Sequence, residues 1–200
     1  DSFRLVFQRV SGDFDIRARV TSLQDTNEWA KAGVMVRQST APGSIHAMLS
    51  VTIGHGVVFQ RRVEAGGESA SADCGPWKAG NAWLRLSRAG KAVTVYCAND
   101  ADGKDWRRVG AEALDLADPV LVGFCVSSHN SGVLSTASFR NVKLTCANDP
   151  GDPVAAAVTA GAAGTADTEP AKPKYPGLAG LDDGAAKSTA KPPEATATEP

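Results

Sequence analysis

The 200-residue chain is 42% apolar and only 6% aromatic, and its 21 Lys+Arg nearly balance 22 Asp+Glu. Near-neutral charge gives no signal of a nucleic-acid partner, and no apolar stretch approaches the ~20 residues a membrane span needs. Eight of the eleven prolines and fifteen alanines follow Cys146, whereas eleven of the twelve aromatic residues and all four cysteines stand at or before it. Residues 1–146 therefore hold nearly all the material for a core.

In chain order, Phe3 to Val10 reads as a first strand. From Phe14 to Val20 apolar Phe14, Ile16, Ala18 and Val20 alternate with polar Asp15, Arg17 and Arg19. A period of two marks a strand with one wet face. The same signal recurs at Lys31 to Gln38, Ile45 to Ile53, Val57 to Val63, Trp83 to Arg88, Ala92 to Ala98, Trp106 to Val109, Val120 to Ser128 and Ser135 to Leu144. Between these segments stand turn formers such as Ser11-Gly12-Asp13, Gly54-His55-Gly56, Ala89-Gly90 and Asp102-Gly103. Glycine permits positive φ, and Asn or Asp close tight turns through their own side chains. About ten such strands predict two antiparallel sheets packed face to face, a jelly-roll sandwich. After Cys146 the composition turns to Ala/Thr/Pro/Lys/Glu repeats. These are too poor in apolar residues to offset an ordering entropy of roughly 1 to 2 kcal/mol per residue. Residues 147–200 are read as a disordered Pro/Ala/Thr-rich linker or stalk. The chain opens on Asp1 inside strand-like sequence, so it reads as a piece of a longer polypeptide.

The segments Asp1 to Gln8, Val10-Ser11-Gly12-Asp13 and Trp29-Ala30-Lys31-Ala32-Gly33-Val34-Met35-Val36-Arg37 resemble the concanavalin A-like lectin/glucanase superfamily. More narrowly, they are similar to the domain-of-unknown-function family sometimes labelled "regulation of enolase". Ser44 to Met48, Gly56 to Arg62, Val126 to Asn130 and Ala137 to Val142 fit the same pattern. The resemblance covers residues 1 to about 145. It implies a jelly roll that accompanies carbohydrate-active and cell-surface bacterial proteins, hence an extracellular or cell-surface location beside other domains of the same polypeptide. It assigns no reaction. Two departures stand out: strand residues that usually precede Asp-Ser-Phe are missing, leaving an edge bare, and Gln38 replaces a family glutamate.

Hydrolysis of a glycosidic bond needs two carboxyl groups roughly 5 to 10 Å apart, and the superfamily's Glu-x-Asp-x-x-Glu strand is absent. Glu28, Glu64, Glu68 and Glu112 are the only glutamates up to Cys146, and none lies two residues from an aspartate. A non-catalytic module is the expectation, with a glycoside hydrolase as the weaker alternative. Cys74, Cys97, Cys125 and Cys146 lack Cys-x-x-Cys spacing, so zinc is not expected. In an exported β-domain they suggest disulfides instead, with Cys74 to Cys97 as one pairing. Asp100 to Asp105 contains Asp-x-Asp-Gly, which begins some calcium loops. The full loop is missing and the segment reads as an Asp-Gly hairpin, so no cofactor is expected and calcium is left open.

A sugar site needs an aromatic or apolar platform and planar polar groups for hydroxyls. If Val34 and Val36 enter the core, Arg37 stands on the outer face, and by the same parity so do His46, Gln60 and Arg62. This predicts a polar row across adjacent strands, with Trp29 at its rim and His129 and Asn130 in a loop at one end. The expected ligand is a glycan or polysaccharide. The alternative is a structural or protein-adhesion sandwich whose polar row is solvated and binds nothing small.

Overall fold

The computed structural model describes residues 2–76 and 80–147. Trp77 and the expected linker beyond residue 147 lie outside them. Eleven strands form among the described residues: β1 (Arg4–Val10), β2 (Phe14–Leu23), β3 (Lys31–Arg37), β4 (His46–Thr52), β5 (Val57–Arg62), β6 (Ala70–Asp73), β7 (Ala82–Ala89), β8 (Ala92–Ala98), β9 (Arg107–Ala113), β10 (Val120–Ser127) and β11 (Ala137–Cys146). All pairings are antiparallel. A six-stranded sheet has the order β1-β10-β3-β4-β5-β6, and a five-stranded sheet the order β11-β2-β7-β8-β9. The chain is a two-sheet jelly-roll sandwich.

Alternation places the core. On β2, Phe14, Ile16, Ala18 and Val20 are buried while Asp15, Arg17 and Arg19 remain partly open. They meet Leu84 and Leu86 of β7, Val93 and Val95 of β8, Val34 and Val36 of β3, Leu49 and Val51 of β4, and Phe59 of β5 in one continuous cluster. Each fully buried Val, Leu, Ile or Phe contributes roughly 1.5 to 3 kcal/mol relative to exposure. At one margin Phe124 of β10 meets Phe139 of β11 at 4.8 Å between ring centroids. At the other, Arg61 of β5 reaches across to Glu112 of β9 at 3.0 Å.

Two elements escaped the hydrophobic pattern. β6 is Ala-Ser-Ala-Asp, a short edge strand held by its ladder with β5 from Val58 to Arg61. β9 continues through Gly110-Ala111-Glu112-Ala113, again without apolar alternation, because β8 offers it backbone partners. The Asp-Gly segment is a hairpin loop. Asp100 accepts the N–H groups of Lys104 and Asp105, and Lys104 pairs with Asp102 at 3.0 Å. Gly103, at φ 62°, lies directly on the Trp83 ring, whose indole N–H donates to the Asp100 carbonyl. No group of three or more metal-ligating side chains converges among the described residues.

The cysteines need a correction: no disulfide joins any of the four. Cys74 and Cys97 both belong to the main core cluster, but they sit there as small buried side chains. Burial pushes the Cys97 and Cys125 thiols up to about 12, which suppresses the reactive thiolate. Iodoacetamide applied to the folded protein at pH 7.5 is therefore expected to leave Cys97 and Cys125 unmodified, and to alkylate both after unfolding in guanidinium. Mass spectrometry of peptides without reductant checks this; a Cys74–Cys97 disulfide peptide would contradict it.

Glycine is needed where strands approach most closely. A Cβ on Gly33 would collide with the Leu49 carbonyl, and one on Gly123 with that of Val6. Gly33→Ala is expected to lower stability by roughly 2 to 3 kcal/mol, the upper range for single substitutions, read as a shift in the urea midpoint.

Candidate functional site

The outer face of the six-stranded sheet carries side chains that alternate with the core set. Register aligns them in rows: Arg37 opposite His46 opposite Arg62, and Met35 opposite Met48 opposite Gln60. Met35, Met48 and Cys125 form a small buried apolar cluster on this face, with Phe3 and Leu5 packed against it. Above it lies a cavity of about 320 Å³ whose lining includes Lys31, His46, Gln60, Arg62, Ser127 and His129. Ser2, Phe3, Ser69 and the cluster residues complete the wall, and no carboxylate is among the described lining residues.

Of the seven residues expected to form the site, four meet here: His46, Gln60, Arg62 and His129. Arg37, Trp29 and Asn130 stand outside the lining. Arg37 shares the outer face but is 2% exposed. Its guanidinium donates to the carbonyls of Ser39 and Ala41 at 2.6 and 2.7 Å and lies 5.1 Å from the Phe3 ring centroid. It thus tethers the β3–β4 loop. Trp29, just before β3, stacks on His55 with ring centroids 3.5 Å apart and 14° between planes. That places it at the Lys31 end of the strands, away from the Arg37 end. The Asn130 side chain donates to the Thr26 carbonyl at 3.3 Å and joins two loops.

Arg62 is anchored much as Arg37 is, through the Gly67 and Ser44 carbonyls at 2.8 and 3.2 Å. The two arginines and His46 occupy one row, so their electrostatics are coupled. Burial, and then the charge of Arg62, lowers the Arg37 pKa. Burial, Arg62 and Arg37 together hold His46 down at about 4 against a partial offset from Ser44. His46 is therefore neutral at pH 7. Its Nδ1 lies 3.2 Å from the Ser44 carbonyl, which assigns the proton to Nδ1 and leaves Nε2 as an acceptor.

Lys31 is the residue that the predicted row omitted. It has the parity of Met35 and Arg37, its Nζ donates to Gln60 Oε1 at 3.2 Å, and burial lowers its pKa. Gln60 in turn donates to Ser71 Oγ at 2.9 Å. His129 adopts a left-handed backbone at φ 50°, which is uncommon outside glycine; its N–H meets Ser127 Oγ at 3.4 Å. The hollow thus offers ammonium, amide and hydroxyl donors and an imidazole acceptor over a methionine floor. Among the described residues, no pair of carboxyl groups for acid–base hydrolysis lines it.

No protein-family model matches the sequence, and no curated protein does. Among solved structures, a functionally unknown protein from Saccharomyces cerevisiae is 23% identical over 73% of this chain and 76% of that one, with a TM-score of 0.57. The GH43 BlXynB protein from Bacillus licheniformis is 15% identical over 68% of this chain, with a TM-score of 0.52. The xylan β-1,4-xylosidase from Bacillus halodurans C-125 is 16% identical over 72%, with a TM-score of 0.51. The match spans only 28% and 30% of those two Bacillus chains. These likenesses extend to the fold alone, the two-sheet sandwich described above.

The depressed pKa of His46 has a defined pH consequence. Between about 4 and the unfolded value near 6.5 the unfolded chain binds the proton and the folded chain does not. This contribution to stability is fully present above pH 6.5 and is lost as pH falls toward 4. Urea midpoints measured from pH 7 to pH 4 should fall more steeply in the native protein than in His46→Gln, and the His46 imidazole resonances should stay those of the neutral ring down to about pH 4.

Proposed function

We propose that residues 1–146 are a non-catalytic glycan-binding module of a larger secreted or cell-surface bacterial protein, in the "regulation of enolase" family, followed by a linker. The observation that carries this is the cavity on the outer sheet face. Lys31, Gln60, Ser127 and His129 present hydrogen-bonding groups beside the apolar floor of Met35 and Met48, the combination that recognises a sugar's hydroxyls and its C–H face. His46 and Arg62 close one end. Arg37 acts behind them by holding the β3–β4 loop.

A structural or protein-adhesion role is favoured by one observation: the chain's own Phe3 packs over Met35, Met48 and Arg37 and takes up part of the hollow. The two readings part on direct binding. Xylan is a reasonable first probe, followed by a glycan array with the full chain. A glycan module predicts a saturable ligand whose affinity falls at least tenfold in Lys31→Ala and Gln60→Ala while the circular dichroism spectrum is unchanged. Failure of every glycan to bind, or binding indifferent to both substitutions, leaves the structural role.

A further inference from the structure

The outer face of the five-stranded sheet, on the far side of the molecule from the cavity, is cationic across its full width. In one cross-strand row Lys143 of β11 is opposite Arg17 of β2, Arg17 opposite Arg85 of β7, Arg85 opposite Tyr96 of β8, and Tyr96 opposite Arg108 of β9. In the next row Arg140 is opposite Arg19, which is opposite Trp83. With strands about 4.8 Å apart, five of them extend the first row over roughly 19 Å.

Like charges directly opposite one another destabilise a sheet, and here they are only slightly compensated. Asp15 is the one acidic residue at the outward-facing positions of these strands, and it pairs with Arg85 at 2.7 Å, while Glu112 of β9 turns inward to Arg61. Arg19 is satisfied by neutral acceptors, the Gly80 carbonyl and Asn81 Oδ1. Arg17, Arg108, Arg140 and Lys143 make no ion pair with any described residue, and all but Arg17 are exposed. Overall charge is near zero, so the fold has segregated it. The acidic 100–105 loop borders the face at Trp83 and leads through Trp106 into β9 just before Arg108.

We propose that this face binds an acidic polysaccharide, a flexible polyanion lying across the strands and meeting Lys143, Arg17, Arg85 and Arg108 in turn. Charge complementarity names a polyanion, and the aromatic side chains decide which kind. Single-stranded nucleic acid needs open rings for base stacking. Here Arg85 lies over Tyr96 at 5.0 Å and over Trp106 at 5.8 Å, Trp106 abuts Trp83 edge-on, and Trp83 itself is buried. Duplex readout needs an element that enters a groove, and these strands present a continuous sheet surface. A chain of carboxylated sugars requires neither.

The test uses the full 200-residue chain on immobilised polygalacturonate, with dextran as the neutral polysaccharide and oligo(dT) as the nucleic acid. The expected result is binding to polygalacturonate but not dextran. It should weaken as sodium chloride rises from 20 mM to about 0.15 M, where screening is strong, and fall about tenfold in Arg17→Ser/Lys143→Ser. Arg108→Ser/Arg140→Ser, placed at the two sheet edges, should show the same loss and serves if the first pair disturbs folding. Lys31→Ala, in the cavity on the opposite sheet, should bind polygalacturonate as the native chain does, which separates this surface from the proposed glycan cavity. No binding to polygalacturonate, undiminished native affinity in both double variants, a loss in Lys31→Ala, or oligo(dT) bound as tightly as polygalacturonate would each overturn the proposal.

Discussion

The molecule depends on one constraint: successive side chains on a strand point to opposite faces, and in a two-layer body only one face of each sheet can be dry. On β3, β4 and β5 the dry set is Val34 and Val36, Ala47 and Leu49, and Val57 and Phe59. Once these enter the core, Lys31, Met35, Arg37, His46, Met48, Gln60 and Arg62 have no choice of side. A shift of one residue would exchange the two sets and bury cations between the sheets. Hydrophobic burial thereby sets the composition of the cavity although no cavity residue contributes to the main core.

The same constraint creates an electrostatic problem that loop carbonyls resolve. Register puts Arg37, His46 and Arg62 side by side, in a place that water reaches poorly. Buried charge is tolerated where hydrogen bonds surround it. Carbonyls of Ser39 and Ala41 meet Arg37, those of Gly67 and Ser44 meet Arg62, and His46 stays neutral. The loops before β4 and before β6 are thus drawn to the cationic row, and the Gly66 N–H to Gly43 carbonyl bond of 2.8 Å joins them to each other. Arginines that first look like ligand contacts are also what positions the walls of the site.

Fold class was legible because alternation is strong on the strands that pack the core. β6 and the second half of β9 were not, since Ala70 to Asp73 and Gly110 to Ala113 carry almost no apolar signal and form through backbone pairing at or near sheet edges. Parity also identified His46, Gln60 and Arg62 as neighbours, and it would have added Lys31 had the same count been continued to the start of β3. What parity cannot supply is reach. It places Arg37 on the correct face but not the turn of its guanidinium into Ser39 and Ala41, and it cannot foresee that Trp29 stacks on His55. Alternation sends the members of the adjacent pairs Arg61-Arg62 and Arg107-Arg108 to four places: Arg61 to Glu112, Arg62 to the cavity, Arg107 to the Cys74 carbonyl and Arg108 to the open face.

The outer faces of the two sheets answer different physical demands. On the six-stranded sheet, glycines at 33 and 123 admit close backbone approach, methionines supply a dry floor, and polar groups are held by carbonyls around a small volume. Such a surface favours a compact neutral ligand, because every added charge would have to lose water beside groups already committed to loop carbonyls. On the five-stranded sheet the cations keep their hydration and stand at strand spacing without acidic neighbours, apart from Arg85. An extended anionic chain can meet several of them at once with little desolvation, and such contacts gain by number more than by individual strength. Near-neutral composition conceals this division, because alternation and topology sort the charges by face only after the chain has folded.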